Sequence, residues 1–135
     1  RRIKIEKELA AELPRVMLDR QQIKQVLLNL LLNAMDAMGD RGGSLRVRTE
    51  KITKTDGYVW VQVEIEDTGE GISAENLEHI FDPFFTTKRT RGENEGTGLG
   101  LTIVHQIIQE HKGEIQVRST EGTGTTFRIN LPSLP

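Results

Sequence analysis

The fold of this chain depends on the stretch NLLLNAMDAM, Asn29–Met38, in which a leucine-rich helix holds two asparagines four residues apart and then an aspartate. A core helix avoids buried amides unless something satisfies their hydrogen bonds. At about 100° per residue, the polar side chains of this helix share one narrow stripe, and most of the remaining circumference is apolar. We call this set the polar stripe: Gln22, Gln25, Asn29, Asn33 and Asp36. The stripe either faces solvent or lines a site for a polar ligand.

The residue types of the polar stripe suit a metal-bound nucleotide. Mg²⁺ is a hard cation that prefers oxygen ligands, and an asparagine oxygen is one. Unlike a carboxylate, an amide adds no negative charge beside a polyphosphate. Two amides and one carboxylate therefore favour a site for a magnesium–nucleotide complex over a site for a bare metal ion.

Length, charge and composition narrow the class of protein. A chain of 135 residues with 36% hydrophobic and 28% charged residues suits one soluble globular domain. The net charge of −2 argues against nonspecific nucleic-acid binding, and the lack of cysteine excludes disulfides and thiolate metal sites. No apolar run approaches the roughly 20 residues of a membrane span. Because the chain begins at Arg1, we expect it to be a fragment of a longer protein. We also expect this domain to be cytoplasmic and to make no membrane contact of its own.

Hydrophobic periodicity predicts the secondary structure. The predicted strands are Ile3–Leu9, Val16–Leu18, Leu45–Ile52, Tyr58–Glu66, Ile115–Ser119 and Thr126–Leu131, and the predicted helices are 20–38 after an Asp19 N-cap, Ala74–Ile80 after a Ser73 N-cap, and Leu99–His111. Pro83–Gly98 reads as a loop. Because strands fall in groups, we expect a single α/β (α+β) domain with its core at about 16–132. It would be a two-layer sandwich, with a mixed, mostly antiparallel sheet covered on one face by helices.

A second cluster, Asp67–Ile72, follows a predicted strand. An aspartate at a strand end can accept a hydrogen bond from an exocyclic amine such as that of adenine, and Gly69 and Gly71 would let the backbone approach a flat ring. The cluster is also compatible with a simple strand-to-helix turn. Asp-Thr-Gly is the tripeptide of aspartic proteases as well, but a single copy would require a dimer and would leave the other clusters unexplained.

The third cluster, Glu95–Leu101, is the most glycine-dense stretch, and a predicted helix starts inside it. Helix N-termini attract phosphate through free amides and partial positive charge. The spacing is neither the dinucleotide fingerprint nor a P-loop. Lys88, Arg89 and Arg91 precede the cluster and either neutralise phosphate charge or form a solvated basic loop.

Taken in order, these clusters resemble the ATP-binding catalytic domain of sensor histidine kinases in the GHKL superfamily. The matching boxes are Asn29–Ala34 (N box), Asp67–Gly71 (G1 box), Phe81–Phe85 (F box), Gly96–Leu101 (G2 box) and Gly122–Thr125 (last glycine box). The match runs from about Val16 to Pro132. Each box alone is modestly specific, but five in the correct order are very specific.

The resemblance implies a Bergerat ATP-binding fold that holds Mg-ATP between helices and sheet. It implies that Asn33 ligates Mg²⁺ beside Asn29, and that Asp67 binds the adenine amino group with Thr125 in support through water. Pro83–Thr97 would be the ATP lid, and Asn29, Asn33 and Lys88 the catalytic residues. The implied nucleotide-contacting set is Asn29, Asn33, Asp36, Asp67, Gly69, Gly71, Ile72, Lys88, Arg89, Gly96, Thr97, Gly98, Leu99, Gly100, Leu101 and Thr125.

The implied reaction is transfer of the γ-phosphoryl group of ATP to a histidine on a separate dimerisation domain, with a response regulator downstream. The isolated domain would be a monomer, and its parent protein would be a homodimer. The interpretation is compatible with a parent protein that is anchored in a membrane. The family acceptor histidine is usually followed by Glu or Asp, which none of His79, His105 and His111 is, so we expect no acceptor in this chain.

Two departures and three rivals qualify this interpretation. Asp36 stands where many histidine kinases carry a basic residue, and Lys112-Gly113 stands where Gly-Gly is common.

GHKL ATPases place a glutamate where this chain has Asn29, and an amide is no general base. A protein-serine kinase of the same fold fits the boxes equally well. An interaction module without nucleotide would need degenerate boxes, whereas these are intact.

Overall fold

Five strands and three helices make up the part of the chain that the computed structural model describes, residues 2–83 and 100–135. The elements are β1 (Ile3–Glu8), α1 (Arg20–Met38), β2 (Gly43–Thr53), β3 (Val59–Asp67), α2 (Ala74–Leu77), α3 (Gly100–Glu110), β4 (Glu114–Thr120) and β5 (Gly124–Pro132). A single 3₁₀ turn, Gly39–Arg41, separates α1 from β2.

The strands form one sheet in the order β1-β2-β3-β5-β4. β1 runs parallel to β2, and the other three pairs are antiparallel. Alternate residues of β3 and β5 join α1 and α3 in one apolar core, which includes Ile65, Phe127 and Ile129. These observations confirm the predicted two-layer sandwich with a mixed, mostly antiparallel sheet.

Helix α1 begins and ends as its sequence predicts. The Asp19 carboxylate accepts a hydrogen bond from the Gln22 backbone N–H at 3.1 Å, and the helix stops at Gly39, whose φ is +59°. Its fully buried face is Val26, Leu30, Ala34 and Met38. Leu28 and Leu32 are 51% and 49% exposed, so part of the apolar circumference faces away from the core. The polar stripe lies between these two faces.

The other face of the sheet is polar and built on paired charges. Glu64 on β3 is only 8% exposed, yet its carboxylate binds two guanidinium groups from neighbouring strands. Arg128 on β5 donates to it at 2.9 and 3.0 Å, and Arg48 on β2 donates at 3.3 Å. A buried carboxylate is tolerated when it is paired in this way.

Two predicted elements were wrong in extent. Instead of a strand at Val16–Leu18, Val16 makes an isolated bridge to Ser133. The segment cannot continue along the sheet because Asp19 already caps α1, and Met17 is 74% exposed. The helix predicted at Ala74–Ile80 ends at Leu77, after which His79 and Asp82 donate back three residues in turns. Among the described residues, no helix is long and apolar enough to cross a bilayer.

Candidate functional site

Asn29 joins the polar stripe to the first residue of α3. Its side-chain nitrogen donates to the Gly100 carbonyl at 3.1 Å, and its oxygen accepts from the Gln25 side chain at 2.8 Å. Both ends of the amide are therefore committed, which fixes its orientation. The centre of the polar stripe therefore contacts a second secondary-structure element, the start of α3.

The remaining members of the stripe follow Asn29 along α1. Asn33 and Asp36 are both half-buried and both have interaction partners. One residue beyond Asp36, the Ala37 carbonyl accepts a hydrogen bond from the Glu70 backbone N–H at 2.9 Å. The C-terminal end of α1 thus contacts the loop that follows β3, which brings the first two sequence clusters together.

Asp67 ends β3 as a buried carboxylate, 6% exposed. One oxygen accepts from the Gly69 backbone N–H at 2.8 Å, and the Thr125 backbone N–H is a second donor. Burial raises the pKa of Asp67 to about 6, against the lowering effect of these two hydrogen bonds, and the nearby Glu66 and Glu70 raise it further. A buried carboxylate whose pKa is raised by desolvation is a candidate for ligand recognition.

Thr125 lies opposite Asp67 in the β3–β5 register, and its side chain is 5% exposed. Its hydroxyl lies 2.8 Å from the hydroxyl of Ser119, which is opposite Thr125 in the β4–β5 register. Ser119 also accepts from the Ile72 backbone N–H at 2.7 Å and donates to the Gly124 carbonyl at 2.9 Å. Asp67, Thr125 and Ser119 therefore form a row across three strands. Sequence reasoning did not find Ser119.

The glycines of the loop after β3 are required by the chain's own backbone. A Cβ at Gly69 would lie 2.6 Å from the Ala37 carbonyl group. A Cβ at Gly71, whose φ is +72°, would collide with the Thr120 carbonyl oxygen. Gly100 differs, because among residues 2–83 and 100–135 the nearest atoms to a Cβ there would be those of the Asn29 side chain, 3.9 Å away. The expected close approach of Gly69 and Gly71 to a flat ring is not needed to explain them.

The remaining predicted site residues divide into two groups. Ile72 and Leu101 are described, and both pack their side chains against the apolar core. The second group lies outside the described residues: Lys88, Arg89, Gly96, Thr97, Gly98 and Leu99. Two phenylalanines of the F box, Phe84 and Phe85, also lie outside them. The described phenylalanine of that box, Phe81, packs against His105 with ring centroids 5.1 Å apart.

The oxygen donors of α1 fit a magnesium ion that arrives with phosphate oxygens. Asn33 and Asp36 carry an amide oxygen and carboxylate oxygens, the ligand type that Mg²⁺ prefers, whereas the Asn29 oxygen already accepts from Gln25. Within residues 2–83 and 100–135, no group of three or more acidic, histidine or cysteine side chains is placed to hold a metal alone.

The histidines have structural surroundings. His111 accepts from the Asp19 backbone N–H at Nε2, 3.0 Å away, and its Nδ1 lies 2.8 Å from the Ile107 carbonyl oxygen. His79 lies on the surface, 3.0 Å from the Asp82 carboxylate. His105 packs against an aromatic ring. None has the sequence context of the family acceptor.

Comparison with known proteins places these features in a family. Residues 18–135 match the model described as histidine kinase-, DNA gyrase B- and HSP90-like ATPase. The sensor histidine kinase ZraS of Escherichia coli K12 is 44% identical over 120 residues, which cover 89% of this chain and 23% of ZraS. The chain thus spans about a quarter of that relative's length.

Solved structures agree with the sequence matches. The nucleotide-free catalytic domain of histidine kinase ThkA superposes with a TM-score of 0.78 at 39% identity, over 97% of this chain and 79% of that one. Full-length ShkA in complex with AMPPNP superposes with a TM-score of 0.79 at 26% identity, over 98% of this chain and 26% of that one. The resemblance to histidine kinase catalytic domains is thereby confirmed.

Proposed function

Because this chain belongs to the histidine kinase-, DNA gyrase B- and HSP90-like ATPase family, we propose that it binds Mg-ATP and transfers the γ-phosphoryl group to a histidine on a separate dimerisation domain. This proposal rests on two contacts: the buried Asp67 and Thr125 lie opposite each other on β3 and β5, and Asn29 joins the polar stripe to the start of α3 through Gly100. The two features supply the two ends of a nucleotide site.

The purine end is the Asp67–Thr125 pair. Both residues are nearly buried, and the Asp67 carboxylate accepts from the backbone N–H groups of Gly69 and Thr125. The exocyclic amine of adenine is a donor that matches it, whereas the carbonyl of guanine would face a negative charge. We therefore expect ATP to bind more tightly than GTP by about 1–3 kcal/mol, the penalty for mispairing a buried polar group.

The phosphate end is the junction of α1 and α3. Helix α3 begins at Gly100, and the backbone N–H groups in the first turn of a helix have no partner within the helix and favour an anion. Asn33 would ligate Mg²⁺, with Asn29 beside it, and the metal would supply neutralisation of phosphate charge. Asn29 holds the start of α3 in place through Gly100. Positioning of the phosphates is the main contribution that the described residues would make to the transfer.

The chemistry of Asn29 favours phosphoryl transfer to a protein over hydrolysis. An amide cannot remove a proton from water. In addition, both polar ends of Asn29 are engaged, one by Gln25 and one by Gly100. Such a site would hold ATP without activating a water molecule, so the acceptor domain would complete the active site.

The proposal extends to partners and organisation. Residues 1–135 would form one catalytic domain, monomeric in isolation, of a longer homodimeric kinase. The longer protein would supply the acceptor histidine, and a response regulator would receive the phosphoryl group. This arrangement is supported by the 44% identity between this chain and part of ZraS, which is a sensor histidine kinase.

A phosphotransfer assay tests the activity. The chain is mixed with labelled ATP and Mg²⁺, with and without the histidine-bearing domain of its parent protein. We expect label on the added domain only, in an acid-labile, base-stable form. Acid-stable label would indicate a serine kinase, and steady release of inorganic phosphate by the chain alone would indicate an ATPase.

A binding titration tests the metal assignment separately. Asn33→Ala should make the affinity for ATP insensitive to Mg²⁺, whereas the unmutated chain should bind ATP more tightly when Mg²⁺ is present. Asn76→Ala removes an asparagine side chain from α2 instead of α1; it is the matched control and should keep the metal dependence. Metal dependence retained in Asn33→Ala would move the ligand elsewhere.

A further inference from the structure

The hydrogen atoms of the row Asp67–Thr125–Ser119 can be assigned by counting donors. A serine hydroxyl has one hydrogen to donate and can accept two hydrogen bonds. The Ser119 hydrogen goes to the Gly124 carbonyl, which can only accept. Ser119 receives one hydrogen from the Ile72 backbone N–H. The remaining contact of Ser119, at 2.8 Å from the Thr125 hydroxyl, must then be donated by Thr125.

This assignment decides what Thr125 can offer a ligand. Once its only hydroxyl hydrogen points at Ser119, the Thr125 oxygen has lone pairs alone to present. The neighbouring Asp67 carboxylate also presents lone pairs alone when ionised. Because Asp67 and Thr125 are opposite each other in the β3–β5 register, the two acceptors stand side by side.

We propose that Ser119 is a specificity-determining positioning residue: by accepting the Thr125 hydroxyl hydrogen, it fixes Thr125 as a hydrogen-bond acceptor, so that the site selects an amino group over a carbonyl at C6 of a purine. The inference rests on the proposed nucleotide-binding function. Ser119 acts through Thr125, directly or through a water that Thr125 orients. Without Ser119, the Thr125 hydroxyl is free to rotate and donate to a carbonyl.

The test compares ADP, whose base carries an amino group at C6, with IDP, whose base carries a carbonyl at C6. Dissociation constants of both are measured by calorimetry on the unmutated chain and on Ser119→Ala. We expect the unmutated chain to prefer ADP, and Ser119→Ala to reduce the ratio of the two constants about three- to tenfold, the equivalent of one net hydrogen bond. Ser119→Thr keeps a hydroxyl at this position and should restore the ratio.

Two further variants separate this role from general stabilisation. Ser133→Ala removes another strand-end serine, whose hydroxyl donates to the Val59 carbonyl at 2.7 Å, and should leave the ratio unchanged. In a Thr125→Val background, Ser119→Ala should have no additional effect on the ratio, because the hydroxyl it orients is gone. A ratio that still changes in that background overturns the proposal.

The outcomes also distinguish this inference from the proposed function. If neither ADP nor IDP binds the unmutated chain, both fail. If Ser119→Ala weakens ADP and IDP by the same factor, nucleotide binding stands and Ser119 is only structural, which overturns the inference. Should Ser119→Ala not fold, Ser119→Cys replaces it under the same criteria, because a thiol of similar volume is a much weaker acceptor.

Discussion

The side chain of Asn29 on α1 donates a 3.1 Å hydrogen bond to the backbone carbonyl of Gly100, the first residue of α3, 71 positions along the chain. This contact brings together two motifs that are far apart in the sequence. It also means that position 29 needs a side-chain nitrogen that can donate a hydrogen bond, whether or not a metal ion binds. The amide is oriented by Gln25, which occupies its oxygen.

Replacement of Asn29 by aspartate should therefore be more harmful than its small change in shape suggests. A carboxylate oxygen would face the Gly100 carbonyl oxygen, and an added negative charge would stand near the phosphates. We expect ATP affinity to fall by about 1–3 kcal/mol, measured by calorimetry. Asn76→Asp, on α2, adds the same charge away from the site and should leave affinity unchanged. Equal affinity in both variants would contradict the assigned role of the amide.

Two glycine-to-alanine variants should separate packing from ligand contact. Gly69→Ala should lower the free energy of unfolding by about 1–3 kcal/mol, because its Cβ would overlap the Ala37 carbonyl group. Gly100→Ala should leave stability unchanged or raise it by up to about 1 kcal/mol, since alanine favours helix and the methyl group would not clash with any residue that the structure describes.

Gly100→Ala should affect the affinity for ATP differently from the stability of the protein. If the start of α3 approaches the phosphates, the added methyl group should weaken ATP binding although the protein is no less stable. Chemical denaturation and calorimetry on the same samples measure the two effects. Unchanged ATP affinity in Gly100→Ala would place the phosphates away from this residue.

The elements predicted correctly are those whose signals are local. Asp19 and Gly39 mark the ends of α1, and alternation on either side of Gly57 predicts the β2–β3 hairpin. Period and caps are properties of a single stretch of chain, so the sequence alone contains them. Val16–Leu18 is a short apolar run, and among the described residues its one strand-like pairing is the bridge from Val16 to Ser133, near the other end of the sequence. No local pattern shows that the pairing is limited to one bridge.

The residues that sequence reasoning missed depend on the register between strands. Ser119 is one polar residue in an alternating strand and gains its importance only because β4 places it opposite Thr125. Glu64 likewise occupies a position that alternation assigns to solvent, and it is buried by Arg48 and Arg128 from the two neighbouring strands. Register is a relation between distant segments, and a single sequence does not contain it.

The buried Asp67 carboxylate should make the stability of the nucleotide-free protein depend on pH. Its pKa is about 6 in the folded protein and 3.8 in an ordinary setting, so the folded state binds more protons between these values. The contribution of Asp67 to stability is therefore fully present below about pH 4 and lost as the pH rises through about 6. The loss is at most about 3 kcal/mol. Asp67→Asn should remove this dependence, which denaturation at pH 4.5 and 7.5 would measure.

Binding of adenine should show the opposite dependence on pH at the same residue. Protonation converts one acceptor oxygen of Asp67 into a donor, so ADP affinity should fall as the pH drops through about 6. Asp67→Asn should bind ADP more weakly at pH 7.5 by about 1–3 kcal/mol and should not change further at pH 5. A wild-type affinity that is flat between pH 5 and 7.5 would remove Asp67 from the adenine contact.

His111 should stabilise the fold by joining the two helices that form the site. Its Nε2 accepts from the Asp19 backbone N–H at the start of α1, and its Nδ1 lies within hydrogen-bond distance of the Ile107 carbonyl of α3. Both contacts are satisfied only by a neutral ring protonated at Nδ1. His111→Ala removes both and should lower the free energy of unfolding by about 1–3 kcal/mol. His79→Ala, whose partner Asp82 is exposed, should cost less than about 1 kcal/mol. Equal losses in the two variants, measured by chemical denaturation at pH 7.5, would show that His111 does not hold the helices together.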